Sequence, residues 1–174
     1  VAHYDPPPPD RVENADQVRR LSAEDAFRFG NVLSAWIEVE DGRITDFGRS
    51  RDSGLVIGST TVRIAQAGAT FRAISLPELH PEPVVGDTSV QFVQTVGGRT
   101  GVPLPRPVRH APFVQWRAPI VWTTLAMTMH ADGGTDLELA GASSFPRHWV
   151  YDHNGELSLK SGVTDQKSWV AESF

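Results

Sequence analysis

The residues of this sequence that can do chemistry are few, and several of them lie around one aromatic corner. Arg147 and His148 stand between Phe145 and Trp149, directly after Pro146. An arginine can bind a carboxylate through two parallel hydrogen bonds, and a histidine changes its charge near neutral pH. This spacing predicts a corner that holds the acidic group of a ligand. The alternative is a structural corner in which the guanidinium stacks on an indole.

Two tryptophans and a further histidine precede this corner. Trp122 lies on the strand face that also carries threonines and His130, and a mixture of apolar and polar side chains is typical of a ligand cavity. Core packing is the alternative for any single tryptophan. We predict one ligand-binding site between a strand from Trp116 to His130 and the corner from Phe145 to Trp149. Either histidine is its titratable group, and the loop from Gly97 to Pro112 is its lid. Its five residues are Trp116, Trp122, His130, Arg147 and His148.

Two other patterns carry less weight. The glycine-rich run GGRTG at 97–101 can cradle an anion, but no helix follows it as in the usual phosphate loops. His130, His148 and Asp152, with His153 at a turn, resemble a two-histidine, one-carboxylate metal site, although their spacing is loose. We therefore predict no metal and no cofactor. Motifs of nucleotide-binding loops, zinc proteases and nucleophile elbows are absent, so no catalytic residue is assigned.

Composition limits the class of protein. The chain has 174 residues, 40% of them hydrophobic, and a net charge of −5 with both signs interspersed. A nucleic-acid partner is therefore not expected. The sequence contains no cysteine, which excludes disulfides and zinc–thiolate sites. No stretch reaches the roughly 18–20 apolar residues of a membrane helix, and the start, VAHYDPPPPDR, does not resemble a signal peptide. We predict a cytoplasmic protein without a membrane partner, and we leave homo-oligomerisation open.

The elements that position these residues are mainly strands. From Ile120 to His130 apolar and polar residues alternate, which predicts a strand. Its core face is expected to carry Val121, Thr123, Leu125, Met127 and Met129. Turn signals at Asp41-Gly42, Ala67-Gly68, Asp132-Gly133-Gly134 and Asn154-Gly155 predict four hairpins.

Short helices are predicted at both ends of the chain. Ala15 to Leu21 and Ala23 to Phe29 have helical patterns, with Ser22 as the cap of the second, and Thr164 to Phe174 forms a terminal helix. Pro6 to Pro9 favour an extended arm. We divide the chain into a proline-rich arm at 1–13 and a single antiparallel β domain at 14–174.

The predicted fold class is mainly β, as an antiparallel β-barrel or a sandwich with short N- and C-terminal helices. The barrel outline resembles lipocalin-like proteins, although their first-strand GxW signature is replaced here by LSAWIEVEDG. We predict that the protein binds a small, partly apolar ligand with an acidic group. The alternatives are an enzyme of the isomerase, cyclase or lyase type that uses a histidine as general acid or base, and a protein-interaction domain.

Overall fold

The computed structural model describes residues 9–24, 26, 28–64, 66–118 and 120–162, and its fold is mainly β with antiparallel sheets. One short helix, α1, spans Ala15–Ala23. The strands follow in chain order: β1 Phe29–Val32, β2 Ala35–Glu40, β3 Arg43–Arg49, β4 Gly54–Ile57, β5 Thr60–Ile64, β6 Ala67–Phe71, β7 Ile74–Ser75, β8 Val84–Val85, β9 Ser89–Arg99, β10 Leu104–Pro107, β11 Val114–Arg117, β12 Ile120–His130, β13 Thr135–Ala142, β14 His148–Tyr151 and β15 Leu157–Ser161.

The central sheet has the order β13-β12-β9-β7, and β8 pairs with the same edge of β9 as β7 does. Strands β12 and β9 are both eleven residues long and pair along their whole length. The remaining strands form two-stranded ribbons: β1 with β4, β2 with β3, β5 with β6, β10 with β11, and β14 with β15. This arrangement is antiparallel throughout, as the turn signals predicted.

The hydrophobic core lies on one face of the central sheet. Val90, Phe92 and Met127 form its centre, and the apolar side chains of the β2–β3 ribbon pack on them. Val121, Thr123, Leu125 and Met127 are buried, which confirms the predicted core face of β12 over these four positions. Burial of this apolar area is the main favourable contribution to folding.

Buried polar groups bind the β1–β4 ribbon to this face through residues of β1. The Gln94 side chain is fully buried and donates from Nε2 to Asn31 Oδ1 at 2.7 Å and to the carbonyl of Val32 at 2.8 Å. Asn31 in turn donates to the hydroxyl of Thr123 at 3.0 Å. Because unpaired polar groups are costly in a core, these bonds fix how β1 lies across the sheet.

Of the two helices predicted near the N-terminus, the first was correct and the second was wrong. Helix α1 begins after Asn14, whose side chain accepts a hydrogen bond from the amide of Gln17 at 2.9 Å, so Asn14 is the N-cap. Ser22, the predicted cap of a second helix, lies inside α1. Phe29 begins β1 instead of ending a helix. The predicted helix from Thr164 to Phe174 falls outside the described residues.

Three boundary predictions were wrong. Ala67-Gly68 lies within β6, and the turn precedes it. Gly97 continues β9, and the region expected to be an irregular loop down to Pro112 contains β10. Trp116 and His130, expected on a single strand, lie on β11 and β12, which belong to different sheets. From sequence alone, a glycine predicts a loop. Inside a strand, however, a glycine often marks a site where another group approaches the backbone closely.

Residues 9–12 pair with the β14–β15 hairpin. The amide of Val12 donates to the carbonyl of Gly155 at 2.7 Å, and the amide of Leu157 donates to the carbonyl of Asp10 at 3.0 Å. The hydroxyl of Tyr151 donates to the carbonyl of Pro9 at 2.8 Å. The last part of the predicted N-terminal arm is therefore bound to the hairpin edge as a short extra strand.

Candidate functional site

The predicted aromatic corner is held together by Ser143. The amide of Trp122 donates to Ser143 Oγ at 3.2 Å, and Ser143 Oγ donates to the carbonyl of Phe145 at 3.0 Å. Nε2 of His148 lies 2.9 Å from the carbonyl oxygen of Ser143 and 3.2 Å from its Oγ. Ser143 therefore joins the backbone of Trp122 to the side chain of His148, two of the five predicted site residues.

The hydrogen bond to the carbonyl of Ser143 fixes the position of one hydrogen on the His148 ring. A carbonyl oxygen only accepts, so the short contact to Ser143 O assigns the hydrogen to Nε2. The Ser143 hydroxyl uses its own hydrogen on Phe145. Burial lowers the pKa of His148 below its ordinary value, and the backbone hydrogen bond opposes that shift only in part. His148 is thus a buried, neutral histidine, 6.3 Å from Phe29 in an edge-to-face contact.

The other three predicted residues lie elsewhere. His130 is eight positions along β12 from Trp122, about 26 Å at the usual rise of ~3.3 Å per residue. There its Nε2 lies 2.9 Å from Asp136 Oδ2, at the exposed end of the β12–β13 hairpin. Arg147 is exposed beside the corner. Trp116, which is 70% exposed, lies on the β10–β11 ribbon. No single site contains all five.

Trp116 lines a cleft of about 230 Å³ at the end of the central sheet. Its other walls are the end of β6, the pair formed by β7 and β9, and the segment that leads into β10. In register, Ile74 and Ile120 flank Arg99 on neighbouring strands, so the three side chains share one face of the sheet. The lining residues are Phe71, Arg72, Ile74, Arg99, Gly101, Pro103, Trp116 and Ala118.

The two segments that carry Arg72 and Arg99 are hydrogen-bonded to the same connection, between β4 and β5. Thr100 Oγ1, next to Arg99, donates to the carbonyl of Gly58 at 2.9 Å. The amide of Ala73, next to Arg72, donates to Ser59 Oγ at 3.3 Å. Because Gly58 and Ser59 are consecutive, the backbones that carry both guanidinium groups are positioned by one short segment. A pre-positioned pair of cations loses less freedom when an anion binds.

The lining of the cleft combines two arginines with aromatic and aliphatic side chains. Its lining contains two guanidinium groups, two aromatic rings and no carboxylate. In the part of the chain that the structure describes, neither Arg72 nor Arg99 forms an ion pair. None of the eight lining side chains can act as a nucleophile or a base near neutral pH, because arginine remains protonated.

Sequence reasoning anticipated part of this cleft. Trp116 was named, and the GGRTG run was considered as an anion cradle; Arg99 and Gly101 of that run do line the cleft. Phe71, Arg72 and Ile74 were missed. Phe71 ends β6 and the other two come directly after it, and they reach the cleft because Ile74 pairs with Arg99, twenty-five positions away. A long-range pairing of two residues leaves no local sequence signal.

Two further findings concern partners and relatives. Within the described ranges, no group of three histidine, aspartate or glutamate side chains is arranged to hold a metal ion. Among the same residues, no helix has the length and apolar character needed to cross a membrane. The chain matches no family model, and it shows no significant similarity to a curated protein or to a solved structure.

Proposed function

We propose that the protein binds a small, partly apolar anion in the cleft between Arg72, Arg99 and Trp116. The observation that carries this proposal is the pairing of two arginines with aromatic and aliphatic side chains in a lining that has no carboxylate. Arginine binds carboxylates and phosphates through two parallel hydrogen bonds, and Trp116 offers a flat apolar surface for the rest of the ligand. The ligand class is the one expected from sequence, but Arg72 and Arg99 take the place of the predicted Arg147.

We also propose a finer architecture, a sandwich in preference to a closed barrel. The sheet order puts β13 and β7 at opposite edges, and β1, β3 and β4 contact the core face of β9 or β12. This packing resembles a second layer over one face of the central sheet, as in a β-sandwich. The cytoplasmic location and the lack of nucleic-acid and membrane partners also remain predictions, and homo-oligomerisation remains open.

The test is a titration with benzoate, which has one carboxylate and one ring, against benzyl alcohol, which has the ring alone. Binding is followed by the NMR signal of the Trp116 indole N–H, assigned from its loss in Trp116→Phe. We expect benzoate to shift this signal with saturation and benzyl alcohol to bind at least tenfold more weakly. Loss of a charge-assisted hydrogen bond costs about 1.5–3 kcal/mol, so Arg99→Gln should weaken benzoate by roughly tenfold or more.

Arg147→Gln is the matched control, because Arg147 is an exposed arginine that the sequence predicts to hold the acid but that does not line the cleft. It should leave benzoate affinity unchanged. Equal losses in Arg99→Gln and Arg147→Gln would indicate a general charge effect and contradict the proposal. A loss in Arg147→Gln alone would return the site to the aromatic corner.

A further inference from the structure

Five of the eight residues that line the cleft come from a stretch of the chain whose charged residues are all arginines. The protein as a whole has a net charge of −5, yet the stretch from Thr88 to Ala131 contains four arginines and no aspartate or glutamate. This stretch supplies β9, β10, β11 and β12, and therefore Arg99 and the whole β10–β11 ribbon beside the cleft. Charges of one sign around a concavity raise its affinity for the opposite charge.

The number of cations in the cleft indicates the charge of its ligand. A single carboxylate can form a bidentate pair with one guanidinium, which leaves the second arginine of the cleft without a counter-charge. A phosphate monoester carries a charge of about −1.5 to −2 at pH 7 and presents three acceptor oxygens. It can therefore accept hydrogen bonds from Arg72 and Arg99 together.

The size and the apolar walls of the cleft indicate what the anion is attached to. Phe71 and Trp116 are aromatic, and Ile74 and Pro103 are aliphatic. A volume of about 230 Å³ is below the 300–1,000 Å³ of usual ligand pockets. The cleft therefore suits one ring and its anionic group, and it is small for a dinucleotide or a long acyl chain.

We infer that the ligand is a dianionic phosphate monoester or phosphonate of a single ring, held by Arg72 and Arg99 with its ring against Trp116. This inference rests on the proposed function and specifies its ligand class. The monoanionic and dianionic forms of one ligand shape should then differ in affinity, because only the dianion gives each arginine a partner.

The experiment compares phenylphosphonate with benzenesulfonate, which has the same shape but only one negative charge. Both are titrated at pH 7.5 and constant ionic strength, with the Trp116 indole signal as the readout. We expect phenylphosphonate to bind at least tenfold more tightly. Its affinity should fall when the pH is lowered to 5.5, where it becomes monoanionic, and that of benzenesulfonate should stay constant because arginine keeps its charge.

Variants identify the groups responsible. Arg72→Gln and Arg99→Gln should each reduce the ratio of the two affinities to about twofold or less, with unchanged circular dichroism. Arg43→Gln is the control: Arg43 is exposed beside the Asp41-Gly42 turn and lies outside the cleft, and its variant should keep the ratio. A ratio that survives both cleft variants would overturn the inference.

The remaining outcomes separate the two proposals. If the two anions bind the parent equally well and both lose affinity for Trp116→Ala, measured by calorimetry, the inference is wrong and the proposed function stands. If neither binds, both are wrong. If inorganic phosphate binds as tightly as phenylphosphonate, the ring has no role and the inference fails. If a single-stranded oligonucleotide competes with at least tenfold higher affinity, the surface binds a polyanion and the single-ring ligand class is excluded.

Discussion

The indole of Trp122 lies over Gly141, on the neighbouring strand β13. A Cβ at position 141 would stand 3.0 Å from Cζ3 and 3.2 Å from Cη2 of this ring. On the other side of β12, Gly97 is the register partner of Trp122 and leaves room for its Cβ in the same way. Glycine on both neighbouring strands therefore lets a large aromatic lie across the outer face of the sheet, an arrangement known from other β proteins as aromatic rescue.

Replacing Gly141 by Val should displace the Trp122 ring. We expect a loss of about 1–3 kcal/mol in the free energy of unfolding, the usual cost of forcing extra methyl groups into a filled space. Urea denaturation measures it. In a Trp122→Leu background the same substitution should cost at least 1 kcal/mol less, because the shorter side chain leaves the space open. Equal costs in both backgrounds would show that the contact does not matter.

The pairing of residues 9–12 with the β14–β15 hairpin should depend on Gly155. This glycine has φ +74, and an added Cβ would overlap the carbonyl of Val12. Gly155→Ala should therefore expose the amide of Val12 to hydrogen exchange. It should also lower the free energy of unfolding by more than the strain of an alanine at positive φ would. Gly42→Ala is the matched control, since Gly42 has φ +75 and open space around it. Similar stability losses for the two variants, with Val12 still protected, would contradict this prediction.

Tyr151 allows the same contact to be tested through a side chain. Its hydroxyl donates to the carbonyl of Pro9, and burial raises its pKa, with a smaller contribution from Asp10. Tyr151→Phe removes one hydrogen bond and should cost about 1 kcal/mol. Since the pKa is raised in the folded state, the stability that this group contributes is complete below pH ~10 and is lost as the pH rises through the folded value. A Phe variant with the same alkaline denaturation profile as the parent would exclude this role.

His148 should make stability depend on pH in the opposite range. Burial lowers its pKa, so the unfolded chain binds a proton more readily than the folded one. The stability it contributes is complete above the unfolded pKa of ~6.5 and is lost as the pH falls through the folded value. The difference in urea midpoint between the parent and His148→Gln, measured from pH 8 to 5, isolates this group from other titrating residues. The parent's stability should fall more steeply on acidification than that of the variant. Parallel profiles would show that His148 is not held neutral.

Thr100 should position the cleft without contacting its ligand. Its hydroxyl donates to the carbonyl of Gly58. The next residue, Ser59, accepts a hydrogen bond from the amide of Ala73, which follows Arg72. Thr100→Val keeps the shape of the side chain and removes the bond, so we expect a threefold to tenfold weaker binding of benzoate with about 1 kcal/mol lost in stability. Thr100→Ser should restore affinity. Loss of stability with unchanged affinity would limit Thr100 to a structural role.

The local chemistry of the sequence was sufficient to predict much of the antiparallel fold. Asp41-Gly42 and Asn154-Gly155 form the turns expected of them, with positive φ at Asp41, Gly42 and Gly155. The alternation after Ile120 identified the buried face of β12, because side chains of a strand point to opposite faces in turn. These features depend on neighbours one to four positions apart, which a sequence displays directly.

The position of the site was decided by contacts between distant residues. Arg147 and Trp116 were chosen for their types, but Arg147 lies between β13 and β14, and Trp116 lies on β11, which belongs to a different sheet from β12 and β13. Arg72 joins Arg99 only because β7 pairs with the end of β9. Composition and spacing led to the hypothesis of a partly apolar site for an anion. Which arginines line the cleft depends on strand pairing, whose partners are selected by packing over the whole sheet.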